Sequence, residues 1–198
     1  MDQYSLLVLF LLLAYFLGSI PFGYLISKIK KIDIRKEGSG NIGATNVSRV
    51  LGFKYALLVG FLDILKAFLP IYIASHFISN EWHLALIMLA SVLGHVFTFW
   101  LKFKGGKAVS TIFASILFIL GWKYSLLFII SWAIGLRLIN FMSLTNLIII
   151  LLLPILFWIQ TQSLAYLVLS FVYIIIIYWA HRENIKRLLK GTENRLFK

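Results

Sequence analysis

The run Y-S-L-L-V-L-F-L-L-L-A-Y-F-L-G-S-I-P-F-G-Y-L-I at residues 4–26 carries no charge and reads as one membrane crossing. A hydrocarbon layer about 30 Å thick needs roughly twenty apolar residues, each rising about 1.5 Å along a helix. Pro21, behind Gly18, Ser19 and Ile20, takes one backbone donor out of the ladder, so a kink or an early stop is expected there. The stretch Met1-Asp2-Gln3 lacks the basic segment of a cleavable signal, so the first span is expected to be retained.

Working outward, further apolar stretches occupy 55–77, 83–101, 108–120, 124–139, 144–159 and 164–180. The chain is 61% hydrophobic and only 13% charged, with a mean hydropathy of +0.94. Soluble domains hold about a quarter charged residues, so the composition is that of a multi-pass membrane protein. The expectation is an all-α integral membrane protein, one polytopic domain over 1–198 with seven transmembrane helices. The stretches 108–120 and 124–139 are short and meet at Gly121-Trp122-Lys123; as a re-entrant hairpin they would reduce the crossings to five.

Sidedness follows from charge. All of the 19 basic residues except Lys66 and Lys123 fall in 28–54, 102–107, Arg137 and the tail from His181, and such residues mark the cytoplasmic face. The N-terminus is therefore expected outside and the C-terminus inside. This placement also explains the net charge of +12 without nucleic acid as a partner. With no cysteine, disulfides and thiolate metal sites are excluded.

Three polar clusters lie on the side assigned to the cytoplasm. In the first, Gly38-Ser39-Gly40-Asn41-Ile42-Gly43-Ala44-Thr45-Asn46-Val47-Ser48-Arg49, three glycines in six residues permit a sharp turn whose amides make a concave anion site. A short helix beginning near 41–43 would point its N-terminal amides at the same anion, with Asn41, Thr45 and Arg49 on one face. An ordinary flexible loop between spans is the other reading. In the second cluster Lys104 and Lys107 flank Gly105 and Gly106 just ahead of a helix start, which again favours an anion. Leu101 and Ala108 rule out a phosphate-binding Walker loop there. Two turns inside the preceding span stands His95, either a helix-packing histidine or a part of the site. In the third, His181 and Asn184 would face the same way on a continuing helix, and Glu183 and Arg187 are spaced for an ion pair. Residues 190–198 read as a basic tail attracted to anionic lipid. Asp63 and Lys66, three apart in mid-span, read as a mutually neutralising pair.

The residues left out also inform. No His-x-x-x-x-Asp pair occurs, because Trp100 and Lys186 stand where the acid would be. The acids assigned to the cytoplasm are Asp33, Glu37, Glu183 and Glu193, too few and scattered to cage a divalent metal. Chemistry here falls to cations, amides, hydroxyls and imidazole acting on an anion at a bilayer. A transporter or channel for an organophosphate or other anion is the alternative class, although such proteins place sites at the midplane and often repeat internally. A lipid-binding scaffold would leave the glycine motifs without a purpose.

The stretches G-S-G-N-I-G-A-T-N-V-S-R at 38–49, G-H-V-F-T-F-W-L-K-F-K-G-G-K at 94–107 and H-R-E-N-I-K-R-L-L-K-G-T-E at 181–193 resemble the bacterial acyl-phosphate:glycerol-3-phosphate acyltransferases, as do Gly18-Ser19-Ile20-Pro21 and Asp63-x-x-Lys66. Thr98 stands where that family usually has proline, and Ala108 where it usually has glycine. The resemblance implies a seven-helix enzyme of the cell (inner) membrane, active at the cytoplasmic interface without cofactor or metal. It implies transfer of a fatty acyl group from acyl phosphate to the 1-hydroxyl of glycerol 3-phosphate, giving lysophosphatidic acid and phosphate, the first acylation of phospholipid synthesis. On that reading Ser39, Gly40, Asn41, Thr45, Gly105 and Gly106 surround acyl phosphate, and Arg49, Lys107, His181 and Asn184 hold glycerol 3-phosphate, with His95 and Lys104 in support. The hydroxyl proton goes to a substrate phosphate or to His181; an acyl-enzyme on Ser39 is the rival mechanism. A monomer in membrane lipid is expected.

Overall fold

The structure, a computed structural model, describes residues 2–196, and every regular element among them is helical. Met1 of the N-terminal stretch, and Phe197 and Lys198 of the basic tail, lie outside the described residues. The chain forms two compact units, one up to Ser115 and one from Ile116.

The first unit holds α1 (Gln3–Gly18), α2 (Phe22–Ile29), α3 (Ala44–Leu51), α4 (Phe53–Ser75) and α5 (Glu81–Val96). Asp2 caps α1 by accepting from the Ser5 amide at 2.7 Å, and Asn80 caps α5 by accepting from the Trp82 and His83 amides. The expected break falls at residues 19–21, and Pro21 immediately precedes α2. α1 and α5 approach along small residues: Gly18 lies against the Ser91 backbone, and Gly94 against the Tyr15 carbonyl and the Ser19 amide. In a membrane, where neighbouring lipid is as apolar as leucine, such close backbone approach is what holds helices together.

The second unit holds most of α6 (Val109–Ile139), then α7 (Met142–Ile149), α8 (Leu153–Thr161), α9 (Leu164–Ala180) and α10 (Arg182–Leu189). Leu153, Phe157 and Tyr173 are fully buried in it, and Tyr178 donates to the Leu147 carbonyl at 3.2 Å. In both units large apolar side chains such as Leu9, Phe61, Ile130 and Ile175 are exposed, as suits helices facing lipid.

By length and composition, five helical runs can cross a membrane, namely Gln3–Ile29, Phe53–Ser75, Glu81–Leu101, Val109–Ile139 and Met142–Thr161. α9 and α10, bent by 61°, make a sixth if they count as one. The protein is thus an all-helical membrane chain with five to six candidate crossings, against seven expected. The discrepancy centres on α6, which joins 108–120 and 124–139 into one run of 31 residues interrupted only at Gly121 (φ 71, ψ 173), a backbone state essentially confined to glycine.

Candidate active site

The 38–49 segment folds over a small apolar core of Ile34, Ile42, Val47 and Val59, with Tyr24 and Tyr55 packed against it. Gly23 of α2 allows this, because any side chain there would strike the Ile42 carbonyl. Asn46, 1% exposed, then organises the loop. Its Oδ1 accepts from the Ser39 amide at 2.8 Å, while Nδ2 donates to the carbonyls of Ile34 (3.2 Å) and Glu37 (3.0 Å). Nothing in the sequence singles this residue out, since its partners lie seven to twelve positions away.

The glycine turn is real, with Gly38 and Gly40 at φ 57° and 71°, but it is not the open amide nest that its glycines suggest. The Ser39 amide goes to Asn46, that of Gly40 to the Glu37 carbonyl at 2.9 Å, and that of Gly43 to the Asn41 side chain at 2.8 Å. α3 starts at Ala44, so Asn41 precedes it and caps the turn instead of sharing a face with Thr45 and Arg49. The donors left for a ligand are the exposed Ser39 hydroxyl, the half-buried Thr45, the exposed Arg49, and the first α3 amides, which have no partner within the helix. Beside them Arg35 clamps Asp33 at 2.7 Å and stacks on Tyr24, and that hydrogen bond holds the Asp33 carboxyl down at about 2.

The second cluster is also shaped by hydrogen bonds at a helix end. The amides of Gly105 and Gly106 donate to the last α5 carbonyls, Val96 and His95, at 3.0 Å each. A side chain on Gly105 would strike the His95 carbonyl, and one on Gly106 the His95 ring. The pair therefore lets the chain close on α5, whereas its spacing suggested close approach of a ligand. Lys104 is exposed on the loop, and Lys107 and Ala108 follow the pair, with Ala108 at φ 63°. That left-handed angle is the reason glycine suits the position better. Thr98 is buried and its hydroxyl donates to the Ser19 carbonyl at the α1/α2 break.

Beneath this loop Asp63 and Lys66 form the expected pair at 2.7 Å, placed for attraction but not aligned as a hydrogen bond. The Lys66 ammonium also lies 2.7 Å from the Ile20 carbonyl and 3.0 Å from His95 Nδ1. The histidine reading and the ion-pair reading thus belong to one buried cluster.

In the second unit the chain bends at His181, which closes α9 and precedes α10, so His181 and Asn184 do not share a continuing helix. His181, 2% exposed, places Nδ1 2.9 Å from the Ile177 carbonyl. A carbonyl only accepts, so Nδ1 carries the hydrogen. Glu193 is the residue missed by the sequence reading. Its carboxylate accepts from Ser143 (2.8 Å), Asn184 (2.7 Å) and Arg187 (2.7 Å). Partial burial works to raise its pKa, but these three donors together hold it below the ordinary glutamate value. Arg187 accordingly pairs with Glu193, and Glu183 pairs with Lys186 at 3.0 Å instead. The stretch read as a basic tail attracted to anionic lipid turns back at Gly191 (φ 68°), and the Leu196 amide donates to the Asn140 carbonyl at 3.0 Å.

Helical bundles exposing hydrocarbon, with cations, hydroxyls and ordered glycine turns gathered at polar segments, define an integral membrane protein equipped for anionic substrates. The comparisons with known proteins make this specific. The glycerol-3-phosphate acyltransferase family model matches residues 8–191. The glycerol-3-phosphate acyltransferase of Lawsonia intracellularis is 38% identical over 191 residues, covering 94% of this chain and 93% of that one. The crystal structure of PlsY (YgiH), an integral membrane glycerol 3-phosphate acyltransferase, in its glycerol 3-phosphate form is similar with a TM-score of 0.89 and 38% identity, covering 96% of this chain and 95% of that one. Its lysophosphatidic acid form gives 0.87 and 37%, covering 96% and 94%. The chain belongs to the glycerol-3-phosphate acyltransferase family. It is an integral membrane acyltransferase, which sets aside the anion-transporter alternative.

Proposed function

We propose that this enzyme moves a fatty acyl group from acyl phosphate to the 1-hydroxyl of glycerol 3-phosphate, releasing phosphate and lysophosphatidic acid. The observation that carries this reading is the near full-length likeness to a chain whose structure is known in a glycerol 3-phosphate form and in a lysophosphatidic acid form. The acyl phosphate donor is part of the proposal, and the chemistry available is compatible with it. The described residues hold no group of three or more His, Cys, Asp or Glu able to bind a metal, and the chain has no cysteine nucleophile. Such a site suits a donor whose leaving group is already good.

In the mechanism, the glycerol hydroxyl oxygen attacks the acyl carbonyl carbon, the bond from that carbon to the phosphate oxygen breaks, and phosphate leaves with the electron pair. Ser39, Thr45 and the first α3 amides bind the acyl phosphate, with Gly40 and Asn41 shaping the turn and Gly105 and Gly106 holding the lysine loop in place. Arg49, Lys107, His181 and Asn184 bind glycerol 3-phosphate, and Lys104 adds positive charge. Holding both phosphates supplies proximity, worth several orders of magnitude in favourable cases. The hydroxyl proton passes to a phosphate oxygen, whose second pKa of roughly 6 suits it to the task. His181 orients the acceptor.

The seven-crossing topology, N-terminus outside and C-terminus in the cytoplasm, is the arrangement we assign, with Gly121 separating the fourth crossing from the fifth. We place the protein in the cytoplasmic membrane as a monomer.

The test is phosphate release by purified protein in lipid. Release that needs both substrates and falls by at least tenfold in Arg49→Ala supports the reading. Equal release without glycerol 3-phosphate would instead show a phosphatase.

A further inference from the structure

His95 is 95% shielded from solvent, yet only one of its ring nitrogens is engaged by the protein among the described residues. Lys66 determines which one. Its ammonium is held by Asp63 at 2.7 Å and can only donate, so His95 Nδ1, 3.0 Å away, must accept. The ring hydrogen therefore sits on Nε2. That nitrogen lies on the side of Gly106 where a side chain would be, and any Cβ there would collide with it. No protein acceptor faces this N–H among the described residues, so it can serve an acceptor that arrives with a ligand. The loop immediately around it, Lys104-Gly105-Gly106-Lys107, carries two cations.

We propose that His95 Nε2–H donates a hydrogen bond to a phosphate oxygen of a bound substrate, and that Asp63 and Lys66 are positioning residues that keep this hydrogen on Nε2. The proposal rests on the acyltransferase reading and extends it to three residues of the membrane interior. Gly106 then has two tasks: its amide ties the loop to α5, and its missing side chain lets the backbone come close to Nε2. A purely structural Asp63–Lys66 pair would not need the histidine tautomer.

Two measurements test this on the intact enzyme in lipid. With nitrogen-15-labelled histidine, the His95 signals, assigned by their loss in His95→Gln, should show a protonated Nε2 and an unprotonated Nδ1. Adding inorganic phosphate should shift the Nε2–H signal. Protonated Nδ1 in the wild type, or an Nε2 signal indifferent to phosphate, would overturn the proposal. In kinetics, His95→Phe keeps a ring but no donor, and KM for one phosphate substrate should rise about tenfold or more, as for loss of a hydrogen bond to a charged group. His95→Gln, whose amide can reach the Nε2 position, should recover much of that loss. Separate KM values for acyl phosphate and glycerol 3-phosphate tell which phosphate is bound. If both KM values in His95→Phe match the wild type, His95 is not a ligand, even though the acyltransferase reading stands on wild-type turnover.

Discussion

Replacing Asn46 by alanine removes the three hydrogen bonds that fasten the glycine turn to α3 and to the 34–37 segment. At about 1 kcal/mol each the loss is about 3 kcal/mol, offset by roughly 0.5 kcal/mol from alanine's better helix propensity. A net penalty of about 2.5 kcal/mol falls on the loop that presents Ser39 and the start of α3. If that loop must be ordered to bind phosphate, kcat/KM falls by as much as about sixtyfold, at 1.4 kcal/mol per factor of ten. Asn46→Asp is nearly isosteric and keeps an acceptor for the Ser39 amide. It also sets a carboxylate oxygen against the Ile34 and Glu37 carbonyls, so its loss should equal or exceed that of alanine. The assay is steady-state phosphate release, paired with thermal unfolding in the same lipid. An Asn46→Asp enzyme with wild-type kcat/KM would refute the reasoning, because it would show that the two carbonyl contacts do not order the site.

Ala108 sits at φ 63°, so Ala108→Gly should stabilise the protein by about 1 kcal/mol, read as a rise of about 2–4 °C in Tm. Gly106→Ala should greatly reduce folded yield or activity because of the His95 ring, whereas Gly191→Ala, with nothing within 4 Å, should cost only the backbone strain of about 1 kcal/mol. Glu193 has a lowered pKa in the folded state, so its stabilising contribution is full above the ordinary glutamate value of 4.5 and is lost as pH falls through the lowered one. Unfolding followed from neutral to acid pH should therefore show the gap between wild type and Glu193→Gln closing at the acid end.

The helices were legible because membrane physics is local in sequence: an uncharged run such as 4–26 is long and apolar enough to cross, and Pro21 interrupts it near 19–21. The locations of the polar segments were legible for the same reason. What each polar residue bonds was not. Asn46 looked like one more polar residue of a motif, and its role depends on Ile34 and Glu37 reaching it across a turn. Glu193 lay in a stretch whose net charge suggested a lipid-facing tail, and only the reversal at Gly191 brings it to Asn184 and Arg187. Gly105 and Gly106 signalled close approach correctly, but sequence spacing says nothing of the partner, which is the end of α5. Helical spacing allowed Arg187 to pair with Glu183, and the more sheltered Glu193 took it instead.

The most direct test of the central claim is the stoichiometry of a single reaction mixture. Purified enzyme in lipid receives acyl phosphate and radiolabelled glycerol 3-phosphate, and both released phosphate and labelled lipid are counted. One phosphate per lysophosphatidic acid, with no labelled lipid when acyl-CoA replaces acyl phosphate, is the predicted result. Labelled lipid formed equally well from acyl-CoA, or phosphate released without labelled lipid, would contradict the account.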